Sequence, residues 1–93
     1  MKFEWDENKN KSNLNKHKLD FTLAIEVFSD PVAVKTTRVV NGEERFQIIG
    51  EIEGCIFSVA YTLRNKNIRI ISARLASKKE RNTYGQKTTI GKS

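Results

Sequence analysis

The chain has 93 residues with 17 Lys+Arg against 11 Asp+Glu, a formal charge of +6, one histidine and one cysteine. A chain of this length hides roughly 60% or a little more of its unfolded surface, which allows one modest core and leaves no room for a second domain. No apolar run approaches the ~18 residues of a membrane span, and the charged start Met-Lys-Phe-Glu-Trp-Asp lacks the apolar stretch of a signal peptide, so a cytoplasmic protein with phosphate-rich or acidic partners is expected.

Phe3 and Trp5 alternate with charged residues as in a short strand, with Trp5 expected in the core, and Asp6 is placed to cap a helix over 7–17. That helix is polar nearly all round. Leu14 is its one large apolar residue, flanked by Asn10 and His17, so its contact with the body is expected to be thin or partly polar. Phe21, Ala24, Ile25 and Phe28 repeat at helical spacing behind Asp20, which predicts a core-facing helix over 21–28 ended by Ser29-Asp30-Pro31.

From Val32 the pattern turns to period two, broken by Asn41-Gly42, Glu53-Gly54 and Asn65-Lys66-Asn67. These are hairpin signals, and together they predict a four-stranded antiparallel meander. Cys55, at a strand start, is expected to pack rather than react, and a lone cysteine makes neither an internal disulfide nor a metal site. Ser77 and Glu80 form the capping box of a last helix starting at Lys78. The fold class is therefore α+β, with N-terminal helices on the sheet and a C-terminal helix. The single domain is expected to span 1–85, with 86–93 as a flexible tail.

Short turns fix register, and register decides which side chains share a face. With two-residue turns at 41–42 and 53–54 and a three-residue turn at 65–67, Arg38 faces Arg45, Arg45 faces Thr62, Thr62 faces Ile70 and Ala60 faces Ser72. One face then carries Arg38, Arg45, Gln47, Ser58, Thr62, Arg64, Ser72 and Arg74. The other carries Val39, Phe46, Ile48, Phe57, Val59, Tyr61, Leu63, Ile71 and Ala73, with Arg69 as its one exception. The first face is either a solvated exterior, as antiparallel sheets often have, or an anion track. Arg45 and Arg74 stand about 15 Å apart on it, a span that suits a polyanion better than a small ligand. Lys78, Lys79 and Arg81 at the last helix start, with Arg74 just before it, likewise read as solvated charges or as part of a phosphate site.

No Walker loop, paired metal-spaced histidines, Gly-x-Ser-x-Gly or carboxylate cluster is present. The residues that remain suffice for metal-independent RNA cleavage, in which a base deprotonates the 2′-hydroxyl and cations stabilise the phosphorane. His17 is the natural proton carrier, since its reference pKa of about 6.5 lies near working pH, although a lone histidine is more often structural. Tyr84 suits base stacking, proton donation or the edge of the core.

Taken in order, Phe3-Glu-Trp-Asp6, Asn13, Lys16-His17, Phe21 with Ala24, Val27-Phe28 with Asp30-Pro31, Glu44-Arg45, Ile49-Gly50, Thr62 with Arg64, Arg69-Ile-Ile-Ser-Ala-Arg74, and Glu80-Arg81 with Tyr84 resemble the BrnT family across residues 3–84. The resemblance implies a small toxin of a type II toxin–antitoxin system with a RelE-like fold that blocks translation by cutting RNA. It implies a BrnA-like ribbon-helix-helix antitoxin as partner, a dimer or heterotetramer in the complex, DNA contact only through the antitoxin, and no cofactor or metal. The family's basic and aromatic positions fall on Lys16, His17, Arg45, Arg64, Arg74, Arg81 and Tyr84, with Arg38, Lys78 and Lys79 as further RNA-binding cations. One departure stands out. The family commonly has glycine after the Lys-His pair, where this chain has Lys18, and at a left-handed helix end that exchange costs roughly 1 kcal/mol. The rival from another class is a non-catalytic module that binds nucleic acid or an acidic partner through the basic face.

Overall fold

The computed structural model describes residues 2–90. The elements are β1 (Phe3–Glu4), α1 (Glu7–His17), α2 (Phe21–Ala24), a 3₁₀ helix (Ile25–Ser29), β2 (Val34–Val40), β3 (Glu43–Ile52), β4 (Cys55–Arg64), β5 (Asn67–Leu75) and α3 (Lys78–Ile90). The sheet corrects the expected four-stranded antiparallel meander. It has five strands in the order β1-β5-β4-β3-β2, and β1 runs parallel to β5, with Phe3 opposite Ile68 and Glu4 opposite Arg69. Alternation at Phe3 and Trp5 marked a strand; its partner, more than sixty residues away in sequence, left no local signal. α3 reaches into the stretch expected to be a tail, and residues 91–93 lie outside the described ones.

The expected caps form. Asp6 accepts from Asn8 N at 2.8 Å and Asp20 from Thr22 N at 2.8 Å, each satisfying a backbone donor that a helix start leaves open. The segment expected as one helix over 21–28 instead tightens into 3₁₀ geometry after Ala24. In a 3₁₀ turn, side chains at i and i+3 eclipse, so Ala24 and Val27 both point at the sheet and both are fully buried. Val27 lands on Gly50, where an added Cβ would sit 3.1 Å from both Val27 Cβ and its carbonyl oxygen. The sheet admits the helix there because Gly50 has no side chain.

Phe21, Val27, Ile48, Val59 and Ile70 fill the core between this helical layer and one face of the sheet. Each such side chain contributes about 1.5–3 kcal/mol of burial. Phe28 continues the layer, with ring centroids 5.1 Å from Phe3 and 5.0 Å from Tyr61. Trp5 packs at its margin, edge-on to Phe21.

α1 is attached by amides rather than by an apolar stripe. Asn13 accepts from Ala73 N and donates to Leu19 O, both at 3.0 Å, and Asn10 accepts from Phe21 N at 2.9 Å. Leu14 points outward and is 43% exposed. Asn13 therefore supplies the pairing that β1, only two residues long, cannot give β5 further along its edge.

The third hairpin corrects the register. Its turn holds two residues, Asn65 and Lys66, both at positive φ, with Arg64 opposite Asn67. Thr62 accordingly pairs with Arg69 rather than Ile70, and a bulge at the next step restores Ala60 opposite Ser72 as expected. The extra residue is Ile71. A bulge shifts side-chain alternation, so Ile70 turns into the core at 1% exposure, Ile71 leaves it, and Arg69 belongs to the outer face, where Nη1 meets Glu4 Oε2 at 2.7 Å. Cys55 is also corrected: it is exposed and does not pack.

Candidate nucleic-acid interface

The outer face of the sheet is divided in two. α3 covers its lower half through a small second cluster of Ile49, Ala76 and Tyr84, edged by Val34 and Ile56. The upper half is open and forms a groove of about 440 Å³ lined by Thr36, Arg38, Arg45, Phe46, Gln47, Ser58, Ala60, Ile71, Ser72, Arg74 and Glu80. The division follows from sequence. β3 carries Ile49 toward α3 and then, two and four residues earlier on the same face, Gln47 and Arg45.

Arg38 and Arg45 are directly opposed across β2 and β3. Like charges placed this way destabilise a strand pair by a few tenths to about 1 kcal/mol. Arg45 has Glu43 Oε1 at 3.6 Å from Nε, yet that nitrogen is shielded from solvent and lacks a hydrogen-bond partner. A shielded donor without an acceptor costs free energy that an incoming anion would recover. Arg74 closes the far side, two strands and four register steps away, which places its Cα about 16 Å from that of Arg45 by strand geometry.

Among the described residues, Glu80 is the single carboxylate in the lining. Arg74 Nη1 and Nη2 meet its two oxygens at 2.7 and 3.0 Å, Gln47 Nε2 donates to Oε2 at 2.6 Å, and Ser77 N donates to Oε1 at 2.9 Å. Gln47 Nε2 also donates to Ser58 Oγ at 2.7 Å, so polar contacts run from β4 through β3 and α3 to β5. The Arg74 guanidinium is the main cause holding the Glu80 carboxyl down at about 2, with the Ser77 and Gln47 bonds adding to it against the opposing effect of burial. Glu80 in turn pushes the Arg74 guanidinium further up. A carboxylate so stabilised does not take up a proton near neutral pH.

Of the residues singled out in the sequence, the groove gathers Arg38, Arg45 and Arg74. Lys16 and His17 end α1 outside the lining. Arg64 is exposed at the end of β4, near enough to Glu4 to help hold that carboxyl below its usual range, after the larger contributions of Arg69 and Asn67. Lys78 and Lys79 are exposed in the first turn of α3, and Arg81 Nη1 donates to Ala76 O at 2.9 Å. Tyr84 is buried, and its hydroxyl donates to Asp30 Oδ2 at 2.6 Å. Burial first, and Asp30 second, raise the Tyr84 hydroxyl well above its ordinary range, so it keeps its proton. Asp30 also accepts from Glu51 N and Val32 N. Together these bonds tie α3 to the loop before β2.

Sequence reasoning placed Gln47 and Ser58 on the right face and Glu80 in its capping box, but not the lateral bonds that join them. Those bonds depend on where α3 crosses the sheet. Among the described residues no helix is long and apolar enough to cross a membrane. No individual curated protein matches the chain. Residues 5–80 match the family described as ribonuclease toxin, BrnT, of type II toxin-antitoxin system, and with that span covering most of the sequence the chain belongs to the BrnT family of ribonuclease toxins.

Proposed function

We propose that the chain is a metal-independent endoribonuclease, related in fold and chemistry to RelE-type toxins, which inhibits translation by cutting RNA in the groove on the open half of the sheet. Arg38, Arg45 and Arg74 hold the phosphate backbone and stabilise charge on the phosphorane. Lys16 or His17, which end α1 outside the groove lining, would move the proton only on RNA that runs past the groove to the end of α1, while Arg64, Lys78, Lys79 and Arg81 extend the basic surface. Tyr84, locked on Asp30, supports α3. The observation that carries this reading is the groove itself, with Arg38 opposed to Arg45 and an unsatisfied Arg45 Nε in its wall.

Family membership brings RNA as substrate class and an antitoxin as partner. We take that antitoxin to be a BrnA-like ribbon-helix-helix protein, bound in a dimeric or heterotetrameric complex that contacts DNA through the antitoxin alone, in the cytoplasm. Purified protein should cut single-stranded RNA in EDTA and leave a 5′-hydroxyl. A strict requirement for Mg²⁺ would overturn the mechanism.

One observation favours a second reading, a module that binds nucleic acid without cutting it: among the described residues the groove lining contains no histidine or lysine, and its one carboxylate is fixed in the charged state. Incubation of the purified protein with single-stranded RNA separates the two, because cleavage products that are lost with Arg45→Ala require an active ribonuclease, whereas RNA that is bound and stays intact marks the binding module.

A further inference from the structure

The Glu80 carboxylate receives four N–H donors, two on each oxygen: Arg74 Nη1 and Ser77 N on Oε1, Arg74 Nη2 and Gln47 Nε2 on Oε2. A capping box needs only the Ser77 bond. The other three go to groove residues, and the Glu80 side chain is 17% exposed where Arg74 is 42%. A guanidinium has five N–H donors in a rigid fork. Glu80 takes its end, Leu75 O takes the second Nη1 hydrogen at 3.2 Å, and what is left is the side edge formed by Nε–H and the second Nη2–H. That edge is itself a bidentate site for two phosphate oxygens.

We infer that Glu80 is a positioning residue which fixes Arg74 end-on, so that the side edge of its guanidinium meets one phosphate of the bound RNA. The inference rests on the groove being the RNA site. Glu80 also places a negative charge beside the substrate, so it weakens ground-state attraction while setting geometry. Its removal should therefore separate binding from turnover.

Glu80→Gln keeps the size of the side chain but sets an amide N–H₂ against donors. Its folded state would be checked by circular dichroism, and its binding to a single-stranded RNA oligonucleotide measured across a salt series. The slope of log K against log salt should steepen by about 0.7, the value for one more effective phosphate contact on a single strand. KM should not rise, whereas kcat should fall on the order of tenfold or more as Arg74 loses its aim. In an Arg74→Lys background, which has no fork to position, Glu80→Gln should cause little further loss of kcat. An unchanged salt slope, a wild-type kcat, or a loss undiminished in the Arg74→Lys background would each overturn the inference. Should Glu80→Gln not fold, Gln47→Leu removes one of the two Oε2 donors together with the bond to Ser58; kcat should then fall about threefold at constant salt slope, and a wild-type kcat would overturn the inference. Absence of cleavage by the wild-type protein would instead refute the ribonuclease reading, and RNA binding would then decide the inference: Arg74→Lys should weaken binding more in the wild-type background than in Glu80→Gln, and equal losses would overturn it.

Discussion

Arg38 and Arg45 stand directly opposite each other across β2 and β3, two like charges at neighbouring positions on the wall of one groove. The free protein bears the repulsion, and a polyanion relieves it. Arg38→Thr should therefore stabilise the free protein by about 0.5 kcal/mol while weakening RNA binding and flattening its salt dependence. Urea denaturation and oligonucleotide binding measured on the same preparation check the pair of effects. Lower stability together with weaker binding would mean that Arg38 serves the fold rather than the site.

Lys18 ends α1 in the left-handed region at φ 59 and ψ 29, with its N–H on Leu14 O. A side chain there bears a steric cost that glycine escapes. Lys18→Gly should raise unfolding free energy by about 1 kcal/mol, measured by chemical denaturation, with no change in the placement of His17. A neutral or destabilising effect would show that the Lys18 side chain makes compensating contacts.

Asn13 provides α1 with its anchor on the sheet. Asn13→Ala would leave Ala73 N and Leu19 O without partners in a buried setting. Two such orphans should cost about 3 kcal/mol. Denaturant midpoints measure the loss, and hydrogen exchange should show faster opening at the amide of Ala73.

Glu80 titrates near 4.5 when free and is held at about 2 in the folded chain. A depressed carboxylate contributes stability that is complete above the unfolded value and is lost as pH falls toward the folded one. Stability should therefore decline between about pH 4.5 and pH 2, and Glu80→Gln should flatten that decline by on the order of 2 kcal/mol, with the partial exposure of Arg74 taken into account. Asp30 and Asp20 are lowered too and should leave a residual slope. An unchanged slope in Glu80→Gln would show that its bonds to Arg74 and Gln47 do not persist in solution.

The sequence alone specified whatever depends on neighbours. Asp6, Asp20 and the Ser77–Glu80 pair set helix starts because a capping side chain reaches only two or three residues. Asn41-Gly42 and Glu53-Gly54 set two hairpins because positive φ is a local property, and from these the placement of Arg38 and Arg45 on one face followed; Arg74 joins them because the shorter third turn and the bulge at Ile71 cancel in register. The left-handed helix end at Lys18 was signalled by the glycine that the BrnT family commonly has there, not by the neighbouring residues.

The tertiary structure decided what depends on distant partners. The parallel pairing of β1 with β5 joins segments separated by most of the chain. The bulge at Ile71 moves Ile70 inward and Arg69 outward, although two adjacent isoleucines give no sign of which will face the core. The groove itself exists because α3 covers one half of the outer face and leaves the other open. Where that helix crosses brings Glu80 onto Arg74, and so turns a residue read as a cap into the one that holds the far wall of the groove.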